Sequence, residues 1–339
     1  MSRSPAKLDP NEQHFRTASA IGGLSLFLRY LPPAARQIDV SRTDASKIVL
    51  YVHGGSFPSA LSIAHRFDGR SWRDELTDAG FHVWGLDFLG FGESDRYPEM
   101  QAPASDHAPL GRANEAWLQI AQAVNYIVQQ QNVEHLSIVA HSWGTMPTCI
   151  FAIHHAQLIE RLVLFAPITL RQPTTATNFT LPAYSFVSLP AQWKRFTEDV
   201  PANEPPVLLH RHFVEWGPTY LATDSTSQTR DPASVMIPSG PLADFAEAWQ
   251  GKFAYDPTRI NVPVAIIRGE WDSLCTDSDA RWLFDALSHA PLKRDIKVSR
   301  ATHLMHLEEG RFALYQEALA FLAGHDTALS VSSSSVSES

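Results

Sequence analysis

The chain is poor in several things, and each shortage removes a class of function. It has two cysteines in 339 residues, Cys149 and Cys275, at no zinc-ligand spacing. Two isolated thiols build neither a disulfide framework nor a metal site, so they read as small buried hydrophobes in a reducing compartment. Positive charge is also short: 27 Lys and Arg against 36 Asp and Glu give a formal net charge of −9. That balance argues against nucleic acid or an anionic membrane as a partner. No uninterrupted apolar run approaches the ~20 residues that span a bilayer. The stretch from Met1 to Arg16 is polar, without the apolar core of a signal peptide, so the expectation is a soluble, cytoplasmic protein. No internal repeat is visible. Gly90-Phe91-Gly92 lacks the third glycine of a dinucleotide fingerprint, since Asp95 stands there. The pairs His154-His155 and His210/His212 have no carboxylate or cysteine at ligand spacing. Neither a metal nor a cofactor is therefore expected.

What remains is an ordinary globular composition, 44% apolar and 19% charged. The informative stretch is Leu136 to Met146. An apolar run fit for a buried strand stops at His141; Ser142 follows, then Gly144, then a segment with helical character through Ile153. Strand, serine and helix, with small residues two positions either side of the serine, is the pattern of a nucleophile elbow. The serine in so tight a turn is strained and its neighbours pass close, which Ala140 and Gly144 permit. The helix also turns its positive end and free N–H groups toward the hydroxyl. Read alone, Ser142 serves equally as a helix N-cap.

The rest of the chain bears on that choice. Ser25–Tyr30, Lys47–Val52, Phe81–Phe88, Arg161–Ala166, Val262–Ile267 and Asp295–Val298 read as further strands. Most are continuous apolar runs, as in strands covered on both faces. Helices are expected over Arg66–Ala79, Arg112–Gln131, Asp277–Leu287 and a last segment through Leu322. The alternation implies right-handed βαβ units and a mostly parallel sheet flanked by helices, an α/β fold. It breaks between Thr169 and Arg259, a segment rich in proline and aromatics. In a parallel sheet, reacting groups gather past the carboxyl ends of the strands. There, after Ser142, stand Asp272 and then His303. A serine needs a base to take its proton and a third group to orient that base. His303 is the first histidine past its strand, and His306 competes for the role. Glu270 and Asp277 compete with Asp272, although Asp277 better suits a helix cap. An oxyanion hole would draw on the N–H of Trp143 and on the turn His53-Gly54-Gly55-Ser56, at Gly55 or Ser56.

These residues, with the stretch Gly85 to Asp95, fall in the order of the α/β-hydrolases, and the chain resembles that family from about residue 25 to 323. The resemblance implies core parts at residues 1–168 and 260–325 and a mainly helical inserted cap at 169–259; the serine-rich tail at 326–339 buries too little to order itself and is set outside the fold. The Asp87–Asp95 stretch resembles that of haloalkane dehalogenases and epoxide hydrolases, which use an aspartate nucleophile. Ser142 at that position disfavours both chemistries. Acyl transfer through a Ser142–His303–Asp272 triad is implied, on an ester, lactone or thioester. A β-diketone carbon–carbon hydrolase, an acyltransferase and a ligand-binding receptor of the same fold are the alternatives. The aromatics of the interruption must pack somewhere, and some should face the site. Trp193 and Trp216, with Ser56, are therefore expected to meet a bulky apolar or aromatic small-molecule substrate.

Overall fold

The computed structural model describes residues 8–34, 47–173 and 180–324; the serine-rich tail lies outside them. An eight-stranded sheet runs in the order β1-β2-β4-β3-β5-β6-β9-β10. The strands are β1 (Gln13–Ala18), β2 (Ser25–Leu31), β3 (Ile48–Val52), β4 (His82–Asp87), β5 (Leu136–His141), β6 (Ile159–Phe165), β9 (Val264–Gly269) and β10 (Lys293–Val298). Only the β1–β2 and β2–β4 pairs are antiparallel; the remaining ladders are parallel. Strand β3 shows why its sequence is apolar throughout. Ile48, Leu50 and Val52 enter one hydrophobic cluster, while Val49 and Tyr51 enter the cluster on the opposite face.

Helices α1 (Trp72–Asp78), α2 (Ala113–Gln131), α3 (Thr145–His154), α7 (Asp277–Ala286) and α8 (Arg311–Leu322) cover the two faces. In α2, Ala116, Ile120, Ala123, Val124 and Ile127 are buried, the spacing that marked this helix in the sequence. Two local readings change. The helix expected from Arg66 begins only at Trp72. Ser71 and Asp74 form a reciprocal capping box there, and Phe67 pairs with Arg70 in a turn before it. Strand β1 was not anticipated, because its residues are polar and alternate between exposed and half-buried. It is an edge strand, where such residues blunt further pairing.

Between β6 and β9 the chain leaves the sheet. It forms β7 (Tyr184–Ser188), α4 (Leu189–Thr197), α5 (His210–Ala222), β8 (Ser234–Pro238) and α6 (Gly240–Ala248). The segment is mainly helical, and it adds an antiparallel β7–β8 ladder that the sequence did not suggest. The two strands lie 46 residues apart in number (188 to 234), so no local turn announces them. No described helix is long and apolar enough to cross a membrane.

Candidate active site

Strand β5 delivers Ser142 at its carboxyl end, and the backbone there adopts φ +54°, the left-handed region that costs a non-glycine residue strain. The turn is held by close approach. A Cβ on Gly144 would run into the carbonyl of His53, at the exit of β3. Thr145 Oγ1 donates to the Ser142 carbonyl at 2.6 Å, bracing the start of α3. Loops after β9 and β10 bring Asp272 and His303 to the same place. The Ser142 hydroxyl lies 2.7 Å from His303 Nε2. His303 Nδ1 sits 3.0 Å from each oxygen of the Asp272 carboxylate. Asp272 Oδ1 also accepts the N–H groups of Leu274 and Cys275 at 2.9 and 3.0 Å, which fixes the carboxylate. The three side chains are buried, at 6%, 3% and 4% residue exposure. This chain of hydrogen bonds can carry a proton from hydroxyl to imidazole and stabilise the imidazolium that results.

The competing residues lie elsewhere. Glu270 accepts the N–H of Arg300. Asp277 pairs with Arg268 and Lys297; the cap of α7 is Thr276, with Asp279 completing the box, so the capping role read for Asp277 is corrected. His306 is enclosed by the rings of Phe57, His141 and Phe165. Its ring nitrogens have no hydrogen-bond partner among the described residues.

Opposite Ser142 runs the His53–Ser56 turn. A Cβ on Gly54 would stand 3.1 Å from that of Ser142, and one on Gly55 only 2.6 Å from Pro241, so side chains are excluded here. The Trp143 N–H belongs to the first turn of a helix, whose N–H groups have no acceptor within the helix. Two supporting histidines went unread in the sequence. His53 donates from Nδ1 to the Gly54 carbonyl at 2.6 Å and accepts the Phe88 N–H on Nε2 at 3.1 Å. His141 donates from Nε2 to the carbonyl of His303 at 3.1 Å, pinning the backbone of that residue. Its only sequence signal was its place directly before the serine.

A cavity of about 610 Å³ opens above these groups. Ser142, His303 and the Gly54–Phe57 turn form its floor, and β7, α4, β8 and α6 supply walls that include Ile237, Leu242, Phe245 and Trp249. Ser56 lies in the lining, as expected of it. Trp193 and Trp216 do not, which corrects that reading. Trp193 packs on His210 and Phe213. Trp216 is buried among Phe57, Phe196 and Tyr220, and its indole donates to the Leu61 carbonyl at 3.0 Å. Both anchor α4 and α5 to each other and to the core. One wall is charged: Arg195 and Glu198 form an ion pair there at 2.7 Å. Among the described residues no group of three or more His, Cys, Asp or Glu is arranged to hold a metal ion.

The buried ionisable groups give a stability prediction. Burial, with His303 as a lesser cause, pushes His306 down to about 3, and His141 is also held well below its ordinary value of 6.5. Between those values the unfolded chain binds protons that the folded chain refuses, so stability falls as pH drops from about 6.5 toward 3. Glu308 has the opposite sign. Burial raises it to about 7 from 4.5, so it lowers stability as pH rises through that window. His306→Leu should flatten the acid side of a plot of Tm against pH, recovering on the order of 4 kcal/mol near pH 3. An unchanged acid slope would show that His306 is protonated in the folded state.

The sequence matches the model of the α/β hydrolase fold family over residues 47–310, and the chain belongs to that family. Similar solved structures include a probable hydrolytic enzyme from Pseudomonas aeruginosa PAO1, 19% identical, with TM-score 0.59 over 95% of this chain and 99% of that one. An esterase from Exiguobacterium antarcticum is 16% identical, with TM-score 0.58 over 90% and 98%. The thioesterase domain from the curacin biosynthetic pathway is 14% identical, with TM-score 0.59 over 91% and 99%. At such identities the likeness is one of fold. Comparison with curated proteins finds no match.

Proposed function

We propose that the chain is a serine hydrolase acting on an ester, lactone or thioester with a bulky apolar or aromatic group. The observation that carries this reading is the unbroken run from Ser142 Oγ through the His303 imidazole to the Asp272 carboxylate, on the floor of a cavity. Ser142 Oγ attacks the carbonyl carbon while His303 Nε2 takes its proton. The N–H groups of Trp143 and Gly55, or Ser56 in place of Gly55, receive the oxyanion. His303 then protonates the leaving group, and an acyl-enzyme on Ser142 remains. Water attacks that carbonyl, giving its proton to His303, and the acid leaves with the serine restored. Asp272 keeps the Nδ1–H tautomer and stabilises the imidazolium.

In this reading the 169–259 segment is the cap. Its walls exclude bulk water and favour apolar acyl chains. Each methylene buried contributes about 0.8 kcal/mol, near fourfold in specificity. Expected for p-nitrophenyl esters is a rise in kcat/KM from acetyl to longer or aromatic acyl groups. Phe245→Ala and Trp249→Ala should move the optimum, whereas Trp193→Ala should not. A flat profile in every variant would remove the substrate assignment. Turnover of an enolisable β-diketone above that of activated esters would replace ester cleavage with carbon–carbon cleavage.

A further inference from the structure

One buried carboxylate has no part in the triad, yet it touches the residue that follows the nucleophile. Asp244, on α6, accepts the indole N–H of Trp143 on Oδ2 at 2.8 Å. The same oxygen accepts the N–H of Ala113, the first residue of α2, at 2.7 Å. Its other oxygen accepts Arg112 Nε at 2.5 Å, and Arg112 reaches on to Glu247, also on α6, at 2.8 Å. Asp244 is 4% exposed and Trp143 1%, so these bonds are made out of water. Hydrogen bonds to a charged acceptor in such surroundings are strong and directional. Three residues earlier, Pro241 packs so close to Gly55, proposed above as an oxyanion donor, that a Cβ there would stand 2.6 Å from the proline Cβ. Helix α6 therefore rests on both halves of the oxyanion hole, by a hydrogen bond on one side and by contact on the other.

We propose that Asp244 is a positioning residue: by gripping the Trp143 indole it sets the direction of the Trp143 N–H, so the oxyanion hole is complete only when α6 is seated. The inference rests on the serine-hydrolase reading above and adds to it a coupling between the inserted segment and the chemical step. Trp143 cannot turn its backbone freely, because its ring is fixed at the Nε1 end by Asp244 and packs edge-to-face with the Phe88 ring, centroids 5.2 Å apart. Arg112 still pairs with Glu247 and Pro241 still packs on Gly55 when the Asp244 carboxylate is removed, so α6 and its share of the cavity wall stay held while the Trp143 indole is released, which costs alignment in the transition state. The expected signature is thus a loss in kcat at nearly constant KM.

The test uses the full chain with Asp244→Ala, Asp244→Asn, Trp143→Phe and the Ala/Phe double variant. Losing a well-aligned oxyanion donor costs about 10²–10³ in kcat, and partial misalignment should cost about 10-fold to 10². Asp244→Ala should lower kcat by that amount with KM within about twofold and the acid limb of the pH–rate profile unmoved. Asp244→Asn, whose carbonyl still accepts the indole N–H, should recover most of the loss. Trp143→Phe should lose a similar factor, and the double variant no more than either single one. Independent, multiplying losses, or an effect confined to KM, would overturn the proposal. If Asp244→Ala does not fold, Trp143→Phe alone decides, since it leaves Arg112 and Ala113 their carboxylate; full kcat in that variant refutes the coupling. Wild-type protein that neither turns over esters nor takes a fluorophosphonate on Ser142 would fail the hydrolase reading itself. Labelling of wild type and variants at equal rates would fail only this proposal.

Discussion

Ser142→Ala is expected to lower ester turnover by several orders of magnitude, about 10⁶ for a triad serine, with little change in fold. The Ser142 hydroxyl lies 2.7 Å from His303 Nε2, and no other serine or cysteine lining the described cavity shares that contact. Ser56, Ser185 and Ser239 line the same cavity, so a fluorophosphonate discriminates among four hydroxyls. It should modify Ser142 alone, as read by peptide mass spectrometry, and should leave the alanine variant untouched. The cost to stability should be small. The hydrogen bond lost contributes on the order of 1 kcal/mol, and alanine suffers the same strain as serine at φ +54°. Ser142→Gly, free of that strain, should melt above the alanine variant while remaining inactive. Undiminished turnover in Ser142→Ala would end the acyl-enzyme mechanism and every assignment that depends on it.

How much of this was legible in the chain depended on how local the cause was. Strands β3 and β5 announced themselves, because burial on both faces demands an apolar residue at every position. The elbow was legible because the sharp turn after β5 demands small residues near Ser142. Asp272 and His303 could be picked out since strand exits converge on one edge of a parallel sheet. The failures are of the opposite kind. Trp193 and Trp216 were expected at the substrate, but composition says nothing about which side of a helix meets a cavity and which meets another helix. Their rings join α4, α5 and the core, while Phe245 and Trp249 on or beside α6 meet the cavity. The bond from Trp143 to Asp244 spans 101 residues, and nothing near either residue points to the other. Nor does any pattern around His141 foretell that it would hold the carbonyl of His303, 162 residues away.

The two histidines after β10 should part company sharply. His303→Ala is expected to abolish both turnover and fluorophosphonate labelling, because the imidazole bonded to the Ser142 hydroxyl, the only base within its reach among the described residues, is gone and a neutral serine is a poor nucleophile. The loss should match that of Ser142→Ala, since the members of a triad act as a unit and their removal is not additive. His306 lies one helical turn on, walled by Phe57, His141 and Phe165, and burial holds it neutral at any pH above about 3. Its ring nitrogens have no hydrogen-bond partner among the described residues, the Ser142 hydroxyl included. His306→Ala should therefore keep kcat within about tenfold and lower Tm, as expected when a buried side chain leaves a cavity. Asp272→Asn belongs between the two. The amide still fills the space beside His303 Nδ1 and can still accept from the N–H groups of Leu274 and Cys275. It lacks the charge that stabilises the imidazolium, and its NH₂ group favours the wrong tautomer, a change that costs about 10⁴ in kcat where such a triad has been altered. Steady-state kinetics on one good ester, with thermal melts of the same preparations, read all three. A severe loss in His306→Ala beside a mild one in His303→Ala would reassign the base, and the proton path from Ser142 would have to be redrawn through the second imidazole.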